Sequence, residues 1–340
     1  MDKEILQALL NVPSGEKAAL ATIISTKGST PRQKGVSFLV FADGRTVGTI
    51  GGGCGEAEVK QAALMALDAG ALKVHHVDLT AAIAAEEGML CGGHMEVAIE
   101  PVLDPEPFRL IAAHQKKNET VYSCLAVEGD ARVIGKRGVY DARGSFLGGT
   151  PVVERLAPEW LGEVPLLVPR EDGRVFIQPV TPPHVLLVLG GGYIAQALVA
   201  MARQLDFEIT VVDDRPDFAN NRLFPDAQVI CERFEKALKE YPITSSTYIV
   251  VVTRGHRYDA ECLRQVVSSP AAYIGLIGSR RRTKLLFDQL AEEGYAREDL
   301  ARVKTPIGLD IGGETPAEIA VSILAEIIWY RRKGKKMSKC

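Results

Sequence analysis

No stretch of the 340 residues is apolar for 18 positions or more, so the sequence offers no candidate for a membrane-spanning helix. There is no excess of proline, serine or glutamate; 46% of residues are apolar and 24% charged, ordinary values for a folded globular chain. Charge of one sign is also missing. A formal net charge of -3 gives no broad electrostatic reason to bind nucleic acid or a membrane surface, and the single basic run, 331–336, reads as a solvated terminal tail. The six cysteines, at 54, 91, 124, 231, 262 and 340, are too scattered for the disulfide framework of a small secreted domain. They form no Cys-x-x-Cys pair, and no His-x-His accompanies them, so a zinc motif is not indicated. Met1-Asp2-Lys3-Glu4 begins a short amphipathic helix without the charged-then-apolar pattern of a secretory signal. The expectation is a cytoplasmic protein with reduced thiols. No internal repeat of 20 to 50 residues is present.

What is there divides in two, as a chain of this length would. Residues 1–150 mix short strands and helices: a helix over 3–10, an apolar strand over 18–25, and a hairpin of 36–41 and 45–50 about the Asp43-Gly44 turn. A helix over 56–67 follows, which predicts an N-terminal mixed α/β domain. Seven prolines between 151 and 183 favour extended or turning backbone, so the interdomain connection is placed there. Residues 184–340 alternate strands (185–189, 209–212, 228–231, 248–252, 273–277) with helical segments. Such continuous apolar runs suit a parallel sheet covered on both faces, a Rossmann-like doubly wound domain. Thr315-Pro316-Ala317-Glu318 places a capping box and a first-turn proline ahead of the last helix.

Within that second domain, Val185-Leu-Leu-Val-Leu-Gly190-Gly-Gly192-Tyr-Ile-Ala195 reads as strand, G-x-G-x-x-A turn and helix start. Gly190 permits the tight turn, Gly192 lets a pyrophosphate approach the backbone, and the helix N-terminus faces the anion with free amides. The next strand ends on Asp213, where a carboxylate would accept from a ribose hydroxyl, favouring NAD over NADP if either binds. A Rossmann-like scaffold that keeps the turn without binding a dinucleotide fits these residues better than a bound NAD or NADP does. Two loops leave later strands at the edge where ligands of this fold gather, carrying His256 and Arg280. Each also suits a solvated surface role.

In the first domain, Gly51-Gly52-Gly53-Cys54 sets a thiol in a glycine loop just before a helix, where amides and the helix field favour thiolate. Cys91 again stands beside glycines, and the two sites point to one shared pocket suited to a soft metal or to sulfur chemistry. Small residues in tight turns would look the same. Gly28-Ser29-Thr30-Pro31-Arg32 adds hydroxyls and the Arg32 guanidinium for an anionic ligand.

Together these segments resemble the xanthine dehydrogenase accessory protein family, the XdhC/CoxI type. The resemblance rests on Gly28-Ser-Thr-Pro-Arg32, Gly48-Thr-Ile-Gly-Gly-Gly-Cys-Gly-Glu56, Cys91-Gly-Gly-His-Met-Glu-Val97, the turn at 189–195, Thr253-Arg-Gly-His256, Gly275-Leu-Ile-Gly-Ser-Arg280 and Pro306-Ile-Gly-Leu-Asp-Ile-Gly-Gly-Glu-Thr-Pro316. It implies a molybdenum cofactor chaperone without turnover of its own. Such a protein binds molybdopterin, works with a cysteine desulfurase during sulfuration, and delivers the cofactor to the apo-xanthine dehydrogenase molybdenum subunit in purine catabolism. The family also implies a homodimer. On this reading Cys54 and Cys91 face the metal, while Gly190, Gly192, Asp213, His256, Arg280 and Arg32 hold the rest of the cofactor, with NAD or another nucleotide at the Rossmann turn as a further possibility. The competing reading is an NAD-dependent oxidoreductase with His256 as acid/base, but no Lys-His or Ser-Tyr-Lys set is placed for hydride transfer. An integral dehydrogenase subunit has no support in the sequence, which shows no iron-sulfur cysteine run or flavin motif.

Overall fold

In the computed structural model, residues 1–13, 15–79 and 92–333 are described, so Cys91 and Cys340 lie outside the described residues. The chain forms two compact units, Met1–Pro182 and Pro183–Cys340.

The first unit holds two five-stranded antiparallel sheets. One has the order β3-β2-β1-β5-β4, built from β1 (Ala18–Lys27), β2 (Ser37–Phe41), β3 (Thr46–Gly48), β4 (Lys73–Asp78) and β5 (His94–Pro101). β1 is buried over seven consecutive residues because both faces of this sheet are covered. Ala19, Ala21 and Ile23 meet Val59, Ala63 and Ala66 of α2 (Gly53–Ala69). Ala18 and Leu20 point the other way, onto Ile5 and Leu9 of α1 (Lys3–Leu10) and Phe108 and Ile111 of α3 (Glu106–Lys116). The second sheet, β8-β7-β6-β10-β9, comprises β6 (Val121–Glu128), β7 (Arg137–Tyr140), β8 (Phe146–Gly149), β9 (Leu166–Arg170) and β10 (Gly173–Val180). Glu100 on β5 and Arg137 on β7, both buried, form an ion pair between the two sheets, with Ser123 accepting a further bond from Arg137. The buried pair is hydrogen-bonded, as a charge out of water must be.

The proline-bearing segment 151–183, expected to be a connection, contributes β9 and β10 to this sheet, so the change of unit falls between Pro182 and Pro183. Its prolines are compatible with strand. Pro169 lies on the edge strand β9, and Pro179 lies on β10 past Ile177, where pairing with β9 stops.

The second unit is a five-stranded, all-parallel sheet in the order β13-β12-β11-β14-β15: β11 (His184–Leu189), β12 (Phe207–Asp213), β13 (Gln228–Cys231), β14 (Thr247–Val251) and β15 (Tyr273–Leu276). This is the doubly wound arrangement expected of the alternating pattern. Successive residues of β11 divide between two cores. Leu186 and Val188 pack with α4 (Tyr193–Ala202) and α9 (Pro316–Lys333); Leu187 and Leu189 pack with α5 (Phe234–Glu240), α6 (His256–Val266), α7 (Arg280–Glu292) and α8 (Arg297–Ala301). The capping box at the head of α9 forms as the residue pattern predicts: Thr315 Oγ1 accepts from the Glu318 amide at 3.3 Å, and Glu318 accepts from the Thr315 amide at 2.9 Å.

Candidate functional site

In the first unit, three glycine-bearing segments meet at one end of the first sheet. Gly51, Gly52 and Gly53 hold φ of 134°, 75° and 64°, a left-handed run that residues with a Cβ rarely adopt, and lead straight into α2. A Cβ on Gly51 would stand 2.5 Å from Pro31 Cγ, which places the loop bearing Arg32 against this turn. A Cβ on Gly28 would stand 2.9 Å from the Gly92 carbonyl oxygen, and one on Gly93 would overlap the Ser29 carbonyl oxygen. Cys91 itself lies outside the described residues, but the two glycines that follow it sit against the loop 28–32.

One carboxylate holds the cysteine turn. Glu56 Oε2 accepts from Thr49 Oγ1 at 2.6 Å, from the Ile50 amide at 3.1 Å and from the Gly52 amide at 3.2 Å, occupying donors that a helix start leaves open. Cys54, in the first turn of α2, is exposed, as is Arg32. Cys124 and Cys262 differ sharply: burial pushes the Cys124 thiol up to about 12, against a smaller opposing pull from Arg137 and Arg170, and raises Cys262 as well. Those two are core residues. Gly55, next to Cys54, is buried against β4, where a Cβ would lie 3.2 Å from Val77 Cγ1, so a larger residue there would press on the strand.

In the second unit, the remaining candidates gather at the carboxyl ends of the parallel strands. Gly190 (φ 114°) turns out of β11, and a Cβ there would lie 2.5 Å from the Val252 carbonyl oxygen at the end of β14. The turns after β11 and β14 therefore touch at the point where the strand order reverses, the usual ligand crevice of such sheets. Nothing lies within 4 Å of a Cβ built on Gly192, and the backbone at the start of α4 is open to a ligand. His256 is the first residue of α6 and Arg280 the first of α7; both are exposed. Arg331, near the end of α9, donates to the Leu205 carbonyl just past α4 at 3.4 Å.

Asp213 ends β12 as expected, but its carboxylate is occupied. Oδ2 accepts from the Gly191 amide at 2.8 Å and Arg215 Nη2 at 2.9 Å; Oδ1 accepts from the Arg215 amide at 3.0 Å and Arg215 Nε at 2.9 Å. Four bonds fill the roughly four acceptor positions of a carboxylate, so a ribose hydroxyl would have to displace Arg215. Burial raises this carboxyl's pKa, but Arg215 and the two amides outweigh it and hold it below the usual range. Arg215 in turn lies 3.8 Å over the Phe218 ring. Beside it Arg254 grips Asp214 at 2.8 and 2.9 Å and lies over Tyr258. Beneath His256, the buried Asp259 accepts from Thr253 Oγ1 at 2.6 Å and Arg282 Nη2 at 2.7 Å, tying the loops after β14 and β15 together. Among the described residues, no group of three or more His, Cys, Asp or Glu is arranged to hold a metal ion.

Comparison with known proteins places this pattern. Residues 12–78 match the sequence model of the XdhC and CoxI family, and residues 186–327 match that of the XdhC Rossmann domain. The chain belongs to the XdhC and CoxI family. It is 29% identical over 339 residues to a Bacillus subtilis (strain 168) protein named as a probable xanthine dehydrogenase subunit, covering 97% of each chain. It is 30% identical over 318 residues to the uncharacterized protein YqeB of Escherichia coli (strain K12), spanning 93% of this chain but only 44% of that protein. The molybdenum cofactor insertion chaperone PaoD of Escherichia coli (strain K12) is 22% identical over 325 residues, 94% of this chain and 85% of its own. A crystal structure from Bacillus halodurans, named as a xanthine dehydrogenase, shares the fold with a TM-score of 0.79 at 24% identity, covering 98% of this chain and 97% of its own.

The XdhC-type motifs thus form two groups, one in each unit. Gly51, Gly52, Gly53, Cys54 and Arg32 come together in the first; Gly190, Gly192, Asp213, His256 and Arg280 share one edge of the second. The sequence did not show the bracing roles of Glu56, Arg215, Arg254 and Asp259, although Glu56 and Arg254 stand within its motifs. Asp259 had no signal of its own, because its partner Arg282 is 23 residues away on another helix.

Proposed function

We propose that this XdhC-family chain is an accessory chaperone that binds the molybdenum cofactor, supports its sulfuration, and delivers it to the apo form of a xanthine dehydrogenase-type molybdenum hydroxylase in purine catabolism. The observation that carries the reading is the meeting of three glycine-bearing segments, one of which leads directly into the exposed Cys54 at the start of α2. The name of PaoD as a molybdenum cofactor insertion chaperone, and the end-to-end match to the Bacillus subtilis relative, support it. The cofactor, when bound, supplies the molybdenum together with its own dithiolene ligands and a phosphate. That fits a chain whose described residues hold no metal cluster of their own but offer a thiol on a glycine turn.

On this reading Cys54, with Cys91, faces the metal side of the cofactor, and Arg32 stands beside it. Within the second unit taken by itself, the Gly190–Gly192 turn, His256 and Arg280 offer open amides and cations suited to a phosphate. The partners are the apo-hydroxylase and a cysteine desulfurase, and the working form is a cytoplasmic homodimer without turnover of its own. With the Asp213 carboxylate already filled by Arg215 and Gly191, a nicotinamide dinucleotide reading gains no support from that residue.

Protein purified from a molybdenum-replete host should release an oxidised pterin seen by fluorescence, and Cys54→Ala should lower cofactor transfer to an apo-hydroxylase while leaving the urea unfolding midpoint unchanged. Absence of pterin after reconstitution would overturn the reading. Undiminished transfer by the Cys54→Ala, Cys91→Ala double variant would remove the thiols from it.

A further inference from the structure

We infer that the groove between α7 and α8 is a separate binding site for a small phosphorylated ligand of mononucleotide size. It is open to solvent and has a volume of about 380 Å³, near the lower end of small-molecule sites. Arg280, Thr283, Lys284, Phe287, Asp288 and Ala291 form its wall along a single stripe of α7, at the three- and four-residue spacing of one helix face. Across from them stand Arg297 and Leu300 of α8.

Three cations therefore surround the groove against one carboxylate, Asp288. None of Arg280, Lys284 and Arg297 has an ion-pair partner among the described residues, whereas Arg282 in the same helix turn is bound to Asp259, and Arg264 to Glu293. The floor is apolar, through Phe287, Ala291 and Leu300. Cations around one apolar wall suit a ligand with a phosphate and a flat or apolar body. The site does not coincide with the glycine crevice. α7 and α8 cover the opposite face of the sheet from α4, and only Arg280 is common to both. The groove is also short, its opposite wall being the five-residue α8, which matches a small molecule better than an extended peptide.

Isothermal titration of the full chain at about 0.1 M salt, with AMP, adenosine and inorganic phosphate as separate probes, tests the inference. AMP should bind saturably, with adenosine and phosphate each at least about 10-fold weaker. The exposed double variant Lys284→Glu, Arg297→Glu should weaken AMP by about 100-fold or more with an unchanged urea midpoint. Gly192→Val should leave AMP binding within about 2-fold, separating this groove from the glycine crevice. Failure of AMP to bind, phosphate binding as tightly as AMP, or loss of AMP binding on Gly192→Val with none on charge reversal would each overturn the proposal. Because none of these readouts involves pterin, their outcome is independent of the chaperone reading.

Discussion

Replacing Asp213 with alanine separates two roles for a carboxylate at the end of β12: a clip that holds the glycine turn, or an acceptor kept for a ribose. As a clip, the side chain is 2% exposed and holds the Gly191 amide and Arg215 through four bonds of 2.8 to 3.0 Å. The Gly191 amide is buried under Phe218, whose carbonyl a Cβ there would overlap, so the orphaned donor costs about 1–3 kcal/mol. The Arg215 side chain is 30% exposed and can be rehydrated, so losing its partner adds only about 1 kcal/mol. The expected total is about 3 kcal/mol. With a urea m-value of about 2 kcal/mol per molar, the midpoint of the second unit should fall by about 1.5 M. Arg215→Ala should cost a comparable amount, about 2–3 kcal/mol, in the same assay, because it leaves a carboxylate that is 2% exposed with only its two amide bonds. A loss below about 0.5 kcal/mol for Asp213→Ala would refute the clip, because a carboxylate without a structural load behaves like an ordinary surface residue. The sign with pH follows from the same contacts. Because the folded carboxyl is held below its unfolded value near 3.8, its contribution is present above that value and is lost as pH falls through the folded one.

Burial, with help from Arg331 and Arg332, pushes His184 down to about 4. The unfolded state then takes up a proton below about pH 6.5 that the folded state refuses, so stability should fall between about pH 6.5 and 4, and His184→Gln should flatten urea midpoints measured across that range. At the cysteine site, Gly93→Ala should cost more than about 2 kcal/mol because its Cβ meets the backbone of the loop 28–32, whereas Gly92→Ala, with open space around it, should stay within about 0.5 kcal/mol; equal urea midpoints would show that the two segments do not pack as described. Thr315→Ala should cost about 1 kcal/mol and speed amide exchange at Glu318, and unchanged exchange there would contradict the capping box.

Local patterns carry information only over the distance they span, and the two units show this differently. The second unit is close to its sequence reading: strand 228–231 has identical bounds, the turn at Gly190 and the cap at Thr315 form as expected, and the sheet is parallel and doubly wound. Each of those features is set within a few residues. The segment 151–183 was misjudged because proline density signals extended backbone without telling a linker from an edge strand. What decided it was the pairing of β10 with β6, a partner that begins tens of residues earlier in the chain, with β9 joined to β10 as a hairpin.

The sequence by itself determined the Rossmann-like half, the glycine turns and the family to which their motifs belong, because these follow from hydrophobic period and the backbone freedom of glycine. Only the tertiary structure decided that the Asp213 carboxylate is filled by Arg215 and Gly191, that the loop 28–32 closes on both Gly51 and Gly93, and that Asp259 joins two ligand-edge loops. A residue's type states what it can bond; which partner uses that capacity depends on contacts between segments that no local spacing records.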